Sequence, residues 1–594
     1  MSALPALARD LGIDVTWQTH AGDDARVREE TLLALVNLLG AAVRTPADAD
    51  GARQAWHRQR MARVLEPTTV VWDSRTPRLR VYVPASQTDA PLECHLELDD
   101  GHEWHAPVSK LPVDVMPVDV NGYVRLDVRL PTRLPTGVHT ARVTGAGVSG
   151  ASTVIATPSR IPTNGVRRAW GVFAPLYALH DAVDDGPANL ATLARFGAWA
   201  HGRGAQVVGT LPLLATYYGA GNEPCDPSPY APVSRRFWNE AYLDLDAVPG
   251  TAPRAGRALE GATIDPPALA ADARARLEPL VEALRAQRAF QLWIERRDDV
   301  RAYASFRATT EGNPAARTYH EIAQWLVERQ LHDLVDEFDD RRQLLYLDLP
   351  LGSHPLGFDV HEGGDTFLRG ATVGAPPDAF QPDGQDWGFT PLHPDRARVT
   401  GHRHLRECLE AQFRFARLLR IDHVMGLDRL WIIPDGMAAS DGAYVRYASE
   451  EQWATVCLTA NTSGAGVVGE NLGTVPAATN RALRAHDGLG MWVLEFEVPE
   501  DATPATPRAD ALACCNTHDL DTFATWWDGL SPRRRARLAE VLRAADVLHL
   551  HEGEGLDPHD VLGACYAWLG RSDAAIVLVT LEDLWLETEP QNRP

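Results

Sequence analysis

Lysine is nearly missing from this chain: Lys110 is the only one among 594 residues, and arginine carries almost all the positive charge. That bias reads as coding composition, not as function. Positive charge is short overall, with 57 Lys and Arg against 80 Asp and Glu, a net charge of −23. An acidic chain repels phosphate backbones, so nucleic acid is not an expected partner. Cysteine is scarce too. The seven are odd in number and scattered, and none forms a CxxC pair, which argues against a disulfide framework and fits a reducing cytoplasm. No stretch approaches the ~18 uncharged apolar residues that span a bilayer, so no membrane partner is expected. The opening MSALPALARDLGID has no basic run before an apolar one, so no secretory leader is expected either. Internal repeats and low-complexity tails are absent. What remains is ordinary globular composition, 45% hydrophobic and 23% charged. Tryptophan, at 17, outnumbers Phe and Tyr. Core packing is the plain explanation; the alternative is flat platforms for a ligand with apolar faces, such as a sugar.

Three zones follow from patterning. Residues 1–65 read as a helical segment, with Glu29 to Leu39 apolar at helical spacing and closed by Gly40. Residues 66–160 read as a β-sandwich. Leu79, Val81 and Val83 alternate with Arg80 and Tyr82, and Val124 to Leu130 alternate with Arg125, Asp127 and Arg129. Residues 161–594 alternate apolar runs (VVGTLPLL, LLYLDLPL, FARLLRIDHV, GVVGENLG, AIVLVTLEDL) with Ala/Arg/Glu-rich helical stretches. Continuous apolar strands between helices indicate an α/β fold, a (β/α)8 barrel, with Pro266 to Ala308 as a helical insertion.

Several motifs read as decoys. GxGxxG occurs at Gly145, Gly147, Gly150 and at Gly464, Gly466, Gly469. A dinucleotide site needs strand, glycines, then helix; the first copy lies between sandwich strands and the second reverses the order. His402, His404 and Cys408, like His549, His551 and His559, lack zinc spacing and read as solvated helix faces, so no metal is expected. The sequon Asn461-Thr462-Ser463 reads as a loop.

The informative feature is charge at the C-terminal end of buried strands, the face where barrel active sites sit. In LLRIDHV, Arg420 and Asp422 share one strand face. A carboxylate beside an arginine stays ionised, as a nucleophile requires; a structural Arg–Asp pair explains the pattern equally. In GVVGENLG, Glu470 emerges from an apolar strand, and desolvation suits it to be a general acid, unless it caps a helix. In ACCNTHDLDT, His518 and Asp519 can hydrogen-bond a polyhydroxylated substrate, or form a turn. Two carboxylates plus a charged stabiliser on one barrel face are what glycosidic cleavage requires.

Together these blocks resemble the 4-alpha-glucanotransferase family (amylomaltase, disproportionating enzyme), related to the α-amylases. LRIDHVMGLDRLWIIPDG, GAPPDAFQPDGQDWG, VVGENLGTVP, NTHDLDT, DPSPYAPVSRRFWNEAYLD and LYLDLPLGSHP occur in family order, and the resemblance covers nearly the whole chain. It implies a barrel of the α-amylase type with helical insertions, and transfer of an α-1,4-glucan segment to another glucan with retention. Asp422 would be the nucleophile, Glu470 the acid then base, and Asp519 with His518 the support for the distorted ring. Arg420 would orient Asp422. Asp348 and Tyr230 would bind sugar at the cleavage point, and Phe380, Gln385 and Trp387 would lie on a loop over the acceptor side. No cofactor is implied. A glucan hydrolase or a non-catalytic glucan-binding protein are the rivals. Asn471 stands where the family usually has aspartate; the lost charge is expected to ease proton loss from Glu470 and shift the pH optimum. Family members also continue beyond QNRP. AIVLVTLEDL reads as the last barrel strand with ten residues after it, so the closing helix is expected to be missing and apolar surface exposed there.

Overall fold

The structure, a computed structural model, describes residues 3–19, 22–118, 122–163, 168–180, 187–252, 264–378, 381–500, 503–549 and 555–592. Its centre is a closed barrel of eight parallel strands: β1 (Ala169–Phe173), β2 (Val207–Gly209), β3 (Leu344–Leu349), β4 (Leu418–Ile421), β5 (Gly466–Gly469), β6 (Leu489–Val493), β7 (Ala511–Cys514) and β8 (Ile576–Thr580). Strands β3, β4 and β5 are buried almost residue for residue, which is why their apolar runs are unbroken. Ring closure comes from β8 pairing back to β1, Ile576 beside Ala169.

Between β2 and β3 lies the helical insertion, Pro266–Leu277, Val281–Arg285, Arg288–Ile294 and Asp298–Thr310, before the long helix Arg317–Asp340 returns to the barrel. A buried ion pair, Arg307 Nε to Glu223 Oε1 at 2.7 Å, ties the insertion to the segment after β2. Between β3 and β5 a four-stranded antiparallel sheet stands over the barrel mouth, in the order Gln385–Phe389, Ala371–Ala375, Arg429–Pro434, Ala443–Arg446.

The sandwich packs a five-stranded sheet on a three-stranded one. The alternation read from sequence is its register: Leu79 faces Val128 and Val81 faces Leu126, all within one apolar core. It meets the barrel through Ile155 against Ala454 and Leu458, and through Thr68 Oγ1, which donates to the Arg398 carbonyl at 2.8 Å.

The N-terminal segment departs from expectation in two ways. Besides the helices Leu4–Asp10, Glu29–Leu38 and Ala49–Met61 it contains a two-stranded hairpin, Thr16–Gln18 with Asp24–Arg26. It also has no core of its own. Leu7, Leu35 and Val36 share one with Val373, Ile432 and Val445 of the four-stranded sheet, so these helices brace the sheet over the mouth. After β8 comes a 3-10 turn, Glu582–Trp585, with Leu584 and Trp585 exposed; among the described residues no α-helix follows. Among these residues no helix is long and apolar enough to cross a membrane.

Candidate active site

Register assembles the first contacts. Asp348 on β3 lies directly beside Arg420 on β4, so their side chains point the same way. Arg420 Nη1 donates to both Asp348 oxygens at 2.9 and 2.7 Å, and lies 2.9 Å from Asp422 Oδ1 just past the end of β4. Its Nη2 lies 4.0 Å from Asp519 Oδ2. One buried guanidinium therefore gathers three carboxylates; burial works against its charge, but Asp348 and Asp422 outweigh this and hold it. Strands β4, β5 and β7 carry Asp422, Glu470 and Asp519, so the three are not on successive strands: β6 intervenes.

Glu470 follows β5 and is almost fully buried. Its Oε2 accepts the His423 backbone N–H at 2.9 Å and its Oε1 that of Leu472 at 2.7 Å. Burial pushes its carboxyl up to about 7; Arg420 opposes this, and Asp422 adds to it. Glu470 is thus partly protonated near neutrality, where an ordinary glutamate is almost wholly ionised. A carboxyl held partly protonated near neutrality is what a general acid requires.

Tyr230, from the segment after β2, donates its hydroxyl to Asp348 Oδ2 at 2.7 Å. His518 Nε2 lies 2.5 Å from the same hydroxyl and 3.1 Å from Asp519 Oδ2. With the tyrosine proton committed to Asp348, Nε2 acts as the donor. The Tyr230 and His518 rings stack, and Phe173 of β1 covers the other side. The surrounding protein partly desolvates the Asp519 carboxyl and works to raise it although its side chain is 56% exposed, but His518 and Arg420 outweigh this and hold Asp519 below the usual range.

Gln385 and Trp387 lie on the outer strand of the four-stranded sheet, not on a bare loop. Trp387 Nε1 donates to Gln385 Oε1 at 2.8 Å, and its ring meets His423 edge-on at 5.2 Å. The sheet thus reaches the residue next to Asp422. Phe380 lies outside the described residues.

His423 is the residue that sequence reasoning missed. Its backbone is left-handed, with φ 46°, which aims its N–H at Glu470. Burial lowers its imidazole to about 4, so the ring is neutral at working pH. No side-chain pattern signals a role played by a backbone N–H.

Asn471 is not idle. Its Nδ2 donates to Asn480 Oδ1 and its Oδ1 accepts the Met491 N–H, both at 2.8 Å. An aspartate there keeps the second bond and adds a negative charge next to Glu470. Asn471→Asp should therefore move the basic limb of the kcat/KM profile upward, by a few tenths to about one pH unit. A pH–rate profile of the two proteins checks this; a limb that does not move means the charge is screened.

The histidine sets need correction. His402, His404 and Cys408 are buried, not on a solvated face. His402 pairs with Glu451, and His404 Nε2 accepts from Arg235 Nη2, each at 2.8 Å. Asp359, His404 and Cys408 converge within 4.8 Å, but Arg235 and Arg236 each come within 3.8 Å of Asp359 and already balance it. Burial lowers His404 to about 3. His549 and His559 are exposed, and His551 lies outside the described residues. The sequon is the last turn of the helix Ser449–Ser463, not a loop. Gly145 and Gly147 turn a sandwich hairpin, and Gly464 ends a helix ahead of β5, the reverse of a dinucleotide site.

This geometry has relatives. The family model described as 4-alpha-glucanotransferase matches residues 174–318 and 282–594. A 4-alpha-glucanotransferase of Mycobacterium tuberculosis is 31% identical over 677 residues, covering 100% of this chain and 92% of the relative. The chain belongs to the 4-alpha-glucanotransferase family. Transglycosylation of α-1,4-glucans is accordingly its activity, and the hydrolase and glucan-binding alternatives are not favoured. A 4-alpha-glucanotransferase of Haemophilus influenzae is 28% identical over 519 residues, covering 72% of this chain and 74% of the relative. The model described as the MalQ N-terminal beta sandwich domain matches residues 64–158. The fold matches that of the amylomaltase from Corynebacterium glutamicum at a TM-score of 0.86 and 24% identity, covering 100% and 94% of the two chains. It also matches the amylomaltase from Streptococcus agalactiae, solved with acarbose, at 0.63 and 21%, covering 72% and 93%.

Proposed function

We propose that this glucanotransferase works by double displacement with Asp422 as nucleophile and Glu470 as acid and then base. Asp422 attacks the anomeric carbon of a bound α-1,4-glucan while Glu470 gives its proton to the departing glycosidic oxygen. Glu470, now ionised, takes the proton of an incoming 4-hydroxyl, and that oxygen displaces Asp422. Asp519 and His518 hold sugar hydroxyls of the distorted ring, and Arg420 aims Asp422. Asp348 and Tyr230 complete the binding wall. Gln385, Trp387 and Phe380 serve the acceptor side, where an aromatic face excludes water and so favours a sugar acceptor. Acarbose in the Streptococcus agalactiae relative is consistent with a glucan in such a cleft. The observation that carries the reading is the pairing of two unlike carboxylates: burial pushes Glu470 up to about 7, while Asp422 Oδ1 lies 2.9 Å from the Arg420 guanidinium.

The site of action is the cytoplasm, supported by seven free cysteines, six of them buried. The residue ranges 1–65, 66–160 and 161–594 serve as bracing helices, sandwich and catalytic barrel. Incubation with maltotriose should yield glucose together with maltodextrins longer than maltotriose, resolved by chromatography. Accumulation of glucose and maltose without longer products sinks the transfer reading.

A further inference from the structure

Asp519 and His518 sit on the segment Asn516–Phe523, which leaves the barrel just after β7. Asp519 is exposed, and among the described residues its carboxylate's charged partners are His518 at 3.1 Å and Arg420 at 4.0 Å. Its place over the site therefore depends on how the segment is held. One fully buried carboxylate holds both ends. Asp583, in the turn after β8, accepts the Asn516 amide at 3.2 Å and the Phe523 backbone N–H at 2.9 Å, both on Oδ1. Phe523 opens a helix, so that N–H has no partner within its own helix. Asn516 completes the ring. Its Nδ2 also donates to the Asp521 carbonyl at 3.2 Å, and its Oδ1 accepts from Thr580 Oγ1 of β8 at 2.7 Å. Nothing in the double displacement uses Asp583, yet a buried carboxylate is costly unless its hydrogen bonds repay it.

We propose that Asp583 is a positioning residue for the transfer reaction, acting through Asp519 by closing the Asn516–Phe523 segment so that Asp519 and His518 face Arg420 and Tyr230. This rests on the reading of Asp519 as support for the distorted sugar ring. Loss of the clamp lets the segment drift, and a displacement of about 1 Å at a reacting centre costs ~100-fold in rate.

The test is a double-mutant cycle read on maltotriose disproportionation. Asp583→Ala should lower kcat by roughly 10- to 100-fold with KM changed less than about threefold. Asp583→Asn, which keeps an acceptor oxygen for both donors, should restore kcat to within a few-fold. In an Asp519→Asn background, Asp583→Ala should add almost no further loss, because the two act as a unit. Thr580→Val, a milder release of Asn516, should lower kcat several-fold and lose that effect in the same background, and it serves the cycle where Asp583→Ala does not fold. Equal factors in both backgrounds, or a folded Asp583→Ala protein with unchanged kcat, overturn the clamp. An Asp519→Asn protein with undiminished kcat instead overturns the role given to Asp519, a distinguishable result.

Discussion

Asp422→Asn is expected to abolish disproportionation, lowering kcat on maltotriose by on the order of 10⁴-fold or more. The amide keeps the shape of the carboxylate but cannot form the covalent glycosyl ester. The two neighbouring buried carboxylates are already engaged. Asp348 receives both of its contacts from the same Arg420 nitrogen and a third from Tyr230. Glu470 is partly protonated near neutrality and bound by two backbone N–H groups. The fold should survive, because Arg420 retains Asp348, and Asp422 sits at the open end of its strand with a side chain 22% exposed. A stability loss of about 1.5–3 kcal/mol is the scale for one exchanged hydrogen bond to a charge. Thermal melting separates that from misfolding. If the folded variant still builds maltodextrins longer than maltotriose at more than a few per cent of the wild-type rate, Asp422 is not the nucleophile.

The parts of this site visible in the sequence are those where charge interrupts a buried strand. Arg420, Asp422 and Glu470 stand out because they interrupt or directly follow short strands that are wholly buried and otherwise without charge. Asp348 stands out likewise, inside a strand buried along nearly its whole length. Strand β6 is not legible: Leu489–Val493 is short, contains Gly490, and only Val493 is fully buried. Without β6, the three carboxylates look as if they come from successive strands. Tyr230 lies 118 positions before Asp348 and joins it only through an ordered loop, a distance no local pattern encodes. His404 shows the converse. Its helix reads as half polar, but the partner that makes burial tolerable, Arg235, arrives from 169 residues away. The N-terminal helices read as a separate unit because their apolar stripes are clear, while the sheet that completes their core comes from residues 368–445. Periodicity reports that a face is buried, not against what.

Glu470→Gln should separate the two halves of the reaction. With maltotriose, kcat should fall by about 10²–10⁴-fold, the usual contribution of a positioned general acid. With an α-glucosyl fluoride donor the first half should recover, since fluoride departs without a proton. The covalent intermediate should then accumulate, because no base remains to activate the acceptor hydroxyl. Equal losses with both donors would falsify the acid role. Stability gives a second, independent readout. Glu470 titrates near 4.5 when unfolded and about 7 when folded, so the native state binds the extra proton and stability falls as pH rises between those values. The full penalty above pH 7 is up to ~3 kcal/mol. Glutamine escapes it but accepts poorly from both the His423 and Leu472 N–H groups, a cost of about 1–3 kcal/mol at any pH. The variant should therefore melt below the wild type at pH 5 and draw level with it or pass it by pH 8. A difference in melting temperature that stays constant across that range would mean that burial does not hold the Glu470 proton.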